Sequence, residues 1–68
     1  MFEKFPPPIR ATLETFFNDA RLGEMCDDLA LDLANELELY HPDLKIADSE
    51  RIAREAVEER SAALRAAR

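Results

Sequence analysis

The stretch that decides the fold is residues 24–40, which read EMCDDLALDLANELELY. An α-helix turns about 100° per residue, so apolar side chains three and four positions apart share one face. The apolar positions that share such an arc here are Cys26, Leu29, Ala30, Leu33, Leu37 and Tyr40. Pro42 follows and cannot continue a helix. The pattern therefore predicts an amphipathic helix over residues 24–40.

A second helix is predicted before this one and a third after it. Helical spacing relates five apolar positions of residues 8–22: Ile9, Leu13, Phe16, Phe17 and Ala20. Gly23 follows, where a left-handed cap is expected. The third helix is predicted over 49–66, with Asp48 or Ser49 accepting hydrogen bonds as its N-cap. Its arc is mostly of small residues: Ile52, Ala53, Ala56, Val57, Ala63, Leu64 and Ala67.

The segments outside the helices are expected to pack on them. In the connector 41–48, Leu44 and Ile46 should hold the chain against the core. Three consecutive prolines begin at Pro6 and favour an extended backbone, from which Phe2 and Phe5 should fold back onto the helices. The predicted fold class is therefore all-α: a small three-helix bundle or array, with a single domain over 8–68 and an extended proline-rich N-terminal arm over 1–7.

Size and composition favour a chain that is completed by a partner. A chain of 68 residues buries little core, and its one cysteine forms no internal disulfide. We therefore expect a homodimer or another protein partner. The single cysteine and the absence of a signal peptide or a long apolar run predict a cytoplasmic protein with no membrane contact. Seven arginines against two lysines suggest a bacterial or phage origin.

The negative charge is concentrated in the second helix and its connector. Residues 24–48 carry eight carboxylates and one lysine, for a charge of −7, whereas the whole chain carries −6. Four acids spaced four apart form a stripe on the helix: Glu24, Asp28, Asp32 and Glu36. Either this stripe is a solvated outer face, or arginines of the third helix or of a partner oppose it.

Three further residues do not fit a simple amphipathic pattern. Leu31 and Leu39 lie away from the main apolar arc of the second helix, which predicts a second contact surface for a dimer or a larger partner. Arg60 lies within the apolar arc of the third helix. A buried guanidinium needs a compensating charge, so we expect an ion pair with a carboxylate of the second helix or of another subunit.

Catalytic, metal and cofactor chemistry is not expected. Cys26 is interpreted as a small buried hydrophobe. Glu38 and His41 have the Glu-x-x-His spacing of di-metal helical bundles, but the pair lies at a helix end and lacks a second copy. We interpret His41 as a residue placed favourably at the negative end of the helix.

Two functional hypotheses follow, and both are non-catalytic. The first is a small protein-interaction or regulatory protein that self-associates, with contacts through Glu24, Asp28, Leu31, Asp32, Glu36 and Leu39. The alternative is an acidic inhibitor or antitoxin-like protein that imitates nucleic acid and binds a DNA- or RNA-processing partner. Direct nucleic-acid binding is disfavoured, because the second helix carries six acids and no base.

Overall fold

The computed structural model describes residues 1–18 and 29–66, which form three helices. Helix α1 is Pro7–Phe17, α2 is Leu29–Tyr40 and α3 is Ile46–Ala66. Within these two ranges the regular structure is all helical, and the predicted all-α class is confirmed. The predicted residues 19–22, the Gly23 cap, the start of the second helix at 24–28 with Cys26, and positions 67–68 lie outside the described residues.

Helix α1 begins one residue earlier than predicted. Pro6 occupies the N-cap position with φ −58° and ψ 150°, and Pro7 is the first helical residue. Proline is tolerated there because the first N–H groups of a helix have no intrahelical partner. At the other end, the Asn18 N–H donates to the Glu14 carbonyl at 3.0 Å. The N-terminal arm is therefore residues 1–6, and we call it the arm below.

The end of α2 and the following turn are held by backbone hydrogen bonds. The His41 N–H donates to the Leu37 carbonyl at 2.8 Å, and the Leu44 N–H donates to the His41 carbonyl at 3.0 Å. Leu44 packs against the core, as predicted. Ile46 was expected to do the same, but it is 64% exposed, and that prediction is wrong. Of the two apolar residues predicted to hold the connector, Leu44 is the one that packs on the core.

Helix α3 begins three residues before the predicted start. The Ser49 N–H donates to the Lys45 carbonyl at 3.0 Å, which places Lys45 at the N-cap and Ser49 inside the first turns. The prediction of Asp48 or Ser49 as the N-cap is therefore wrong. Ser49 is completely buried, and Asp48 lies in the first turn, where a carboxylate favourably meets the positive end of the helix.

The core lies where α2 packs against α3, with α1 against α2 and the arm between α1 and α3. Phe2 and Phe5 are buried, which confirms that the arm folds back. The helices contribute the other buried apolar residues: Ile9, Leu13, Leu29, Leu33, Ala34, Leu37, Ile52, Ala53 and Ala56. Phe16, Phe17 and Val57 pack at the edge of this cluster.

Two positions assigned to the apolar arcs are exposed. Tyr40 is 63% exposed although helical geometry places it between the buried Leu29 and Leu33, because it is the last residue of α2, where fewer neighbours cover a side chain. Leu64 is 43% exposed. It lies in the last turns of α3, whereas the four buried residues of that helix, from Ser49 to Ala56, all lie in its first half.

Candidate interaction surfaces

The side of α2 that faces solvent carries two leucines. Leu31 is 60% exposed and Leu39 is 70% exposed, whereas Leu33 and Leu37 on the opposite side are fully buried. Asn35, midway between the two leucines, is also exposed, as is Asp32. On a helical wheel these four residues fall within an arc of about 100°. We call Leu31, Asp32, Asn35 and Leu39 the outer face of α2.

The acidic stripe follows this face only in part. Asp32 is exposed, Glu36 is half-buried, and Glu24 and Asp28 lie outside the described residues. The structure thus brings Leu31, Leu39 and Asp32 onto one surface, with Glu36 at its margin. Of the residues predicted for the contact surface, both leucines and two of the four acids, Asp32 and Glu36, lie within the described ranges.

Arginines of α3 pair within their own helix. Arg51 donates to Glu55 at 3.0 Å and lies 3.8 Å from Asp48. Arg65 lies 3.8 Å from Glu58. The Arg51–Glu55 pair has the i, i+4 spacing that supports a helix locally. Arg51 and Arg65 are therefore engaged along α3, and between residues 29 and 66 no ion pair links either of them to the carboxylates of α2.

Arg60 lies between α3 and α1 and is half-buried. Its guanidinium carbon is 5.0 Å from the centroid of the Phe17 ring, a distance at which a cation and an aromatic face attract each other. Arg60 has a further interaction besides this one. The ion pair predicted between Arg60 and a carboxylate of the second helix or of another subunit stays a prediction.

The connector 41–45 forms one end of the molecule, and sequence patterns did not predict that this end exposes apolar side chains. Tyr40 and Ile46 flank that connector and are each more than 60% exposed, next to the exposed Leu39. Helical spacing predicts a core position for Tyr40, and the apolar character of Ile46 predicts the same for that residue. The available signal was their position at a helix end beside Pro42, where fewer neighbours can cover a side chain.

The arm occupies a groove between α1 and α3. The Phe2 ring stacks on Phe17 of α1 with centroids 5.6 Å apart. The Phe2 N–H donates to Oε1 of Glu59 on α3 at 2.9 Å. One helical turn away, Lys4 Nζ lies 3.8 Å from Glu55 Oε1. We call this the arm groove, and sequence patterns gave no sign of its polar contacts.

The backbone of the arm is a turn closed on itself. The Phe5 N–H donates to the Phe2 carbonyl at 3.1 Å, and Phe2 has a φ of 68°, which is uncommon for a bulky residue. The amino group of Met1 donates to the Glu3 carboxylate, which raises the pKa of the amine and lowers the pKa of the Glu3 carboxyl. Both groups are exposed, so this contact adds little to the attachment of the arm.

His41 is used structurally. Its Nε2 lies 2.7 Å from Thr12 Oγ1, and the same hydroxyl is 3.3 Å from the Pro8 carbonyl. The Thr12 hydroxyl and the imidazole nitrogen are within hydrogen-bond distance, and the tautomer of His41 decides which of them donates. This contact joins α1 to the end of α2. The Glu38 and His41 spacing is not accompanied by a third ligand, because residues 1–18 and 29–66 hold no cluster of three metal-binding side chains.

A shallow depression of about 450 Å³ lies beside the arm. It is open to solvent and lined mostly by charged residues: Lys4, Arg54, Glu55, Glu58, Glu59 and Ala62. Small-molecule sites are usually enclosed, whereas this depression is open to solvent. In the part of the chain that the structure describes, no helix is long and apolar enough to cross a membrane.

Comparison with known proteins gives no relative for this chain. No family model matches it, and no curated protein and no solved structure gives a significant match.

Proposed function

We propose that this protein is a small, non-catalytic, cytoplasmic interaction or regulatory protein that self-associates through the outer face of α2. The observation that carries the proposal is the exposure of Leu31 and Leu39 on the side of α2 opposite its buried leucines. Scattered exposed leucines are ordinary on a protein surface. Here two exposed leucines share one face of α2, and the chain has only a small core, so we interpret this face as an interface.

The chemistry of this face suits a contact between two copies of the same helix. Asn35 lies between the leucines and can hydrogen-bond to its symmetry mate, as polar residues do within helix–helix seams. Asp32 lies at the margin, where it stays hydrated. A two-fold arrangement would pair the leucines of one copy with those of the other, which is the self-complementary contact of a symmetric dimer.

The proposal is tested by measuring mass against concentration by sedimentation equilibrium. We expect a reversible monomer–dimer equilibrium that tolerates high salt, because burial of leucine is not screened by ions. A monomer at every concentration tested would contradict self-association. The face would then be tested for a different protein partner.

A second candidate function is the acidic inhibitor of a nucleic-acid-processing protein. The observation that favours it is that Arg51 and Arg65 pair within α3, which leaves Asp32 on the exposed face of α2 without those arginines. Binding through this charge would weaken steeply as salt rises. Salt dependence of binding to a basic partner therefore separates the two functions.

A further inference from the structure

We propose that the end of the molecule at the connector binds a basic, apolar segment of another protein, in which lysine or arginine residues are interspersed with leucine-like ones. The surface consists of Tyr40 and Ile46 with the carboxylates of Glu36, Asp43 and Glu50, and we call it the connector end. The inference does not rest on the outer face of α2, because the connector end lies on another side of that helix and extends onto α3.

A tight turn brings the two apolar side chains of the connector end together. Tyr40 is the last residue of α2 and Ile46 is the first residue of α3, and both are largely exposed. The Leu44 N–H donates to the His41 carbonyl at 3.0 Å, and Leu44 packs on the core, so the connector holds the two helix ends side by side. Tyrosine is enriched in protein interfaces because it combines a large apolar ring with a polar hydroxyl. The connector end therefore has the apolar centre of a small docking surface.

Carboxylates surround this apolar centre. Glu36 precedes Tyr40 by one turn of α2. Glu50 follows Ile46 by one turn of α3, and Asp43 lies in the connector. Asp43 and Glu50 are exposed, and Glu36 is half-buried. In the part of the chain that the structure describes, none of the three has an ion-pair partner, so their charges are available to a cation from outside.

Charge complementarity selects the occupant. Residues 36–50 carry five carboxylates and one lysine, for a charge of −4. A second copy of this chain would place the same charge against itself, and like charges that face each other across an interface cost free energy.

A lysine or arginine of another protein gains two contacts at this surface. Its charge meets the carboxylates, and it can lie over the face of the Tyr40 ring, where a cation is attracted. Its aliphatic stem, or a neighbouring leucine of the partner, packs on Ile46. The connector end therefore fits a segment that is both basic and apolar.

The probe for the test is a synthetic amphipathic peptide of leucine and lysine at helical spacing, and its binding to the full chain is measured by fluorescence anisotropy of a dye at one end. We expect saturable binding of this peptide, and none of a matched peptide in which glutamate replaces lysine. Tyr40 is the one tyrosine of the chain, which has no tryptophan, so tyrosine emission on addition of unlabelled peptide reports on the connector end directly. Absence of saturable binding, or binding that leaves this emission unchanged, would overturn the proposal.

Two substitutions address the apolar centre and the carboxylates separately. Ile46→Ser and Asp43→Lys change exposed side chains, so neither threatens the core, and each should weaken binding several-fold. The matched controls are Leu64→Ser and Glu58→Lys, which make the same kinds of change at exposed positions in the second half of α3 and should bind as the unaltered chain does. Equal weakening by Asp43→Lys and Glu58→Lys would mean that net charge alone attracts the peptide, and it would overturn the proposal.

Leu31→Ser separates this inference from the outer-face dimer, because it alters the outer face without changing the net charge. Unchanged peptide binding by this variant supports the connector end whether or not the outer face forms a dimer. Weaker binding by Leu31→Ser, together with unchanged binding by Ile46→Ser, would place the basic partner on the outer face and overturn the proposal. Loss of the dimer in Ile46→Ser, without peptide binding by the unaltered chain, would show that a second copy covers the connector end and would overturn it as well.

Discussion

The backbone N–H of Phe2 donates to Oε1 of Glu59 at 2.9 Å, and this bond joins residues that are 57 positions apart. It brings the first residues of the chain onto the second half of α3. The Phe2 ring is buried beside it against Phe17, so one side chain on α3 fixes the backbone at the point where the arm enters the core.

Replacing Glu59 should therefore loosen the arm. We expect Glu59→Leu to lower the free energy of unfolding by about 1–3 kcal/mol, because a partly buried N–H loses its acceptor. Glu59→Gln keeps an acceptor and should cost less. Chemical denaturation at fixed protein concentration measures both. Glu58→Leu is the control, since Glu58 is exposed and should change stability by less than about 0.5 kcal/mol. Equal losses for the changes at positions 58 and 59 would refute the role given to Glu59.

Ser49 should be replaceable with a gain in stability. Its hydroxyl is fully buried and has no hydrogen-bond partner among the described residues. A buried hydroxyl without a partner costs about 1–3 kcal/mol on mutational scales, and alanine is also the better helix former. We expect Ser49→Ala to raise the free energy of unfolding by about 1 kcal/mol in a denaturant titration. A loss of stability would show that the hydroxyl is bonded in solution.

The contact between Thr12 and His41 should contribute to the packing of α1. Thr12→Val keeps the side-chain shape but removes the oxygen that hydrogen-bonds to Nε2 of His41. We expect a loss of about 1 kcal/mol, the usual net contribution of one hydrogen bond. Thr15→Val, an exposed position on the same helix, is the matched control and should be close to neutral. Thermal unfolding of the two variants side by side decides whether this contact matters.

Arg60 and Phe17 should be energetically coupled. A double-mutant cycle with Arg60→Met and Phe17→Leu isolates their interaction from the other contacts of each residue. We expect a coupling of about 0.5–1 kcal/mol, which is typical of a cation over an aromatic face near the surface. A cycle of Arg60→Met with Phe5→Leu, whose ring lies beside Lys4 instead, should show no coupling. A coupling free energy between Arg60 and Phe17 that is zero within error would show that this contact does not stabilise the fold.

The helices of this protein are predictable from local pattern because each carries a periodic apolar face. Leu33, Leu37 and Ile52 are buried where the spacing places them, and Pro42 stops α2. The boundaries are less predictable. Ser49 looks like an N-cap, but Lys45 provides the first carbonyl, and tertiary burial of Ser49 overrides the capping preference of its hydroxyl.

Surface features depend on how the helices sit against each other, which a single helical wheel does not give. Helical spacing places Tyr40 with the core residues and Ile46 is as apolar as they are, yet both are exposed beside the connector. Neither residue spacing nor composition predicts the hydrogen bond from the Phe2 N–H to Glu59. Exposure of Leu31 and Leu39, in contrast, follows from their angle to the buried arc, so the candidate interface could be predicted from the sequence.

The most direct test of the central claim is sedimentation equilibrium of the unaltered chain beside the double variant with Leu31→Glu and Leu39→Glu. The control is Leu64→Glu, which places the same charge on an exposed leucine near the far end of α3. We predict a dimer for the unaltered chain and for Leu64→Glu, and a monomer for the double variant with unchanged helical circular dichroism. A dimer that survives both glutamates on the outer face of α2 would contradict the claim.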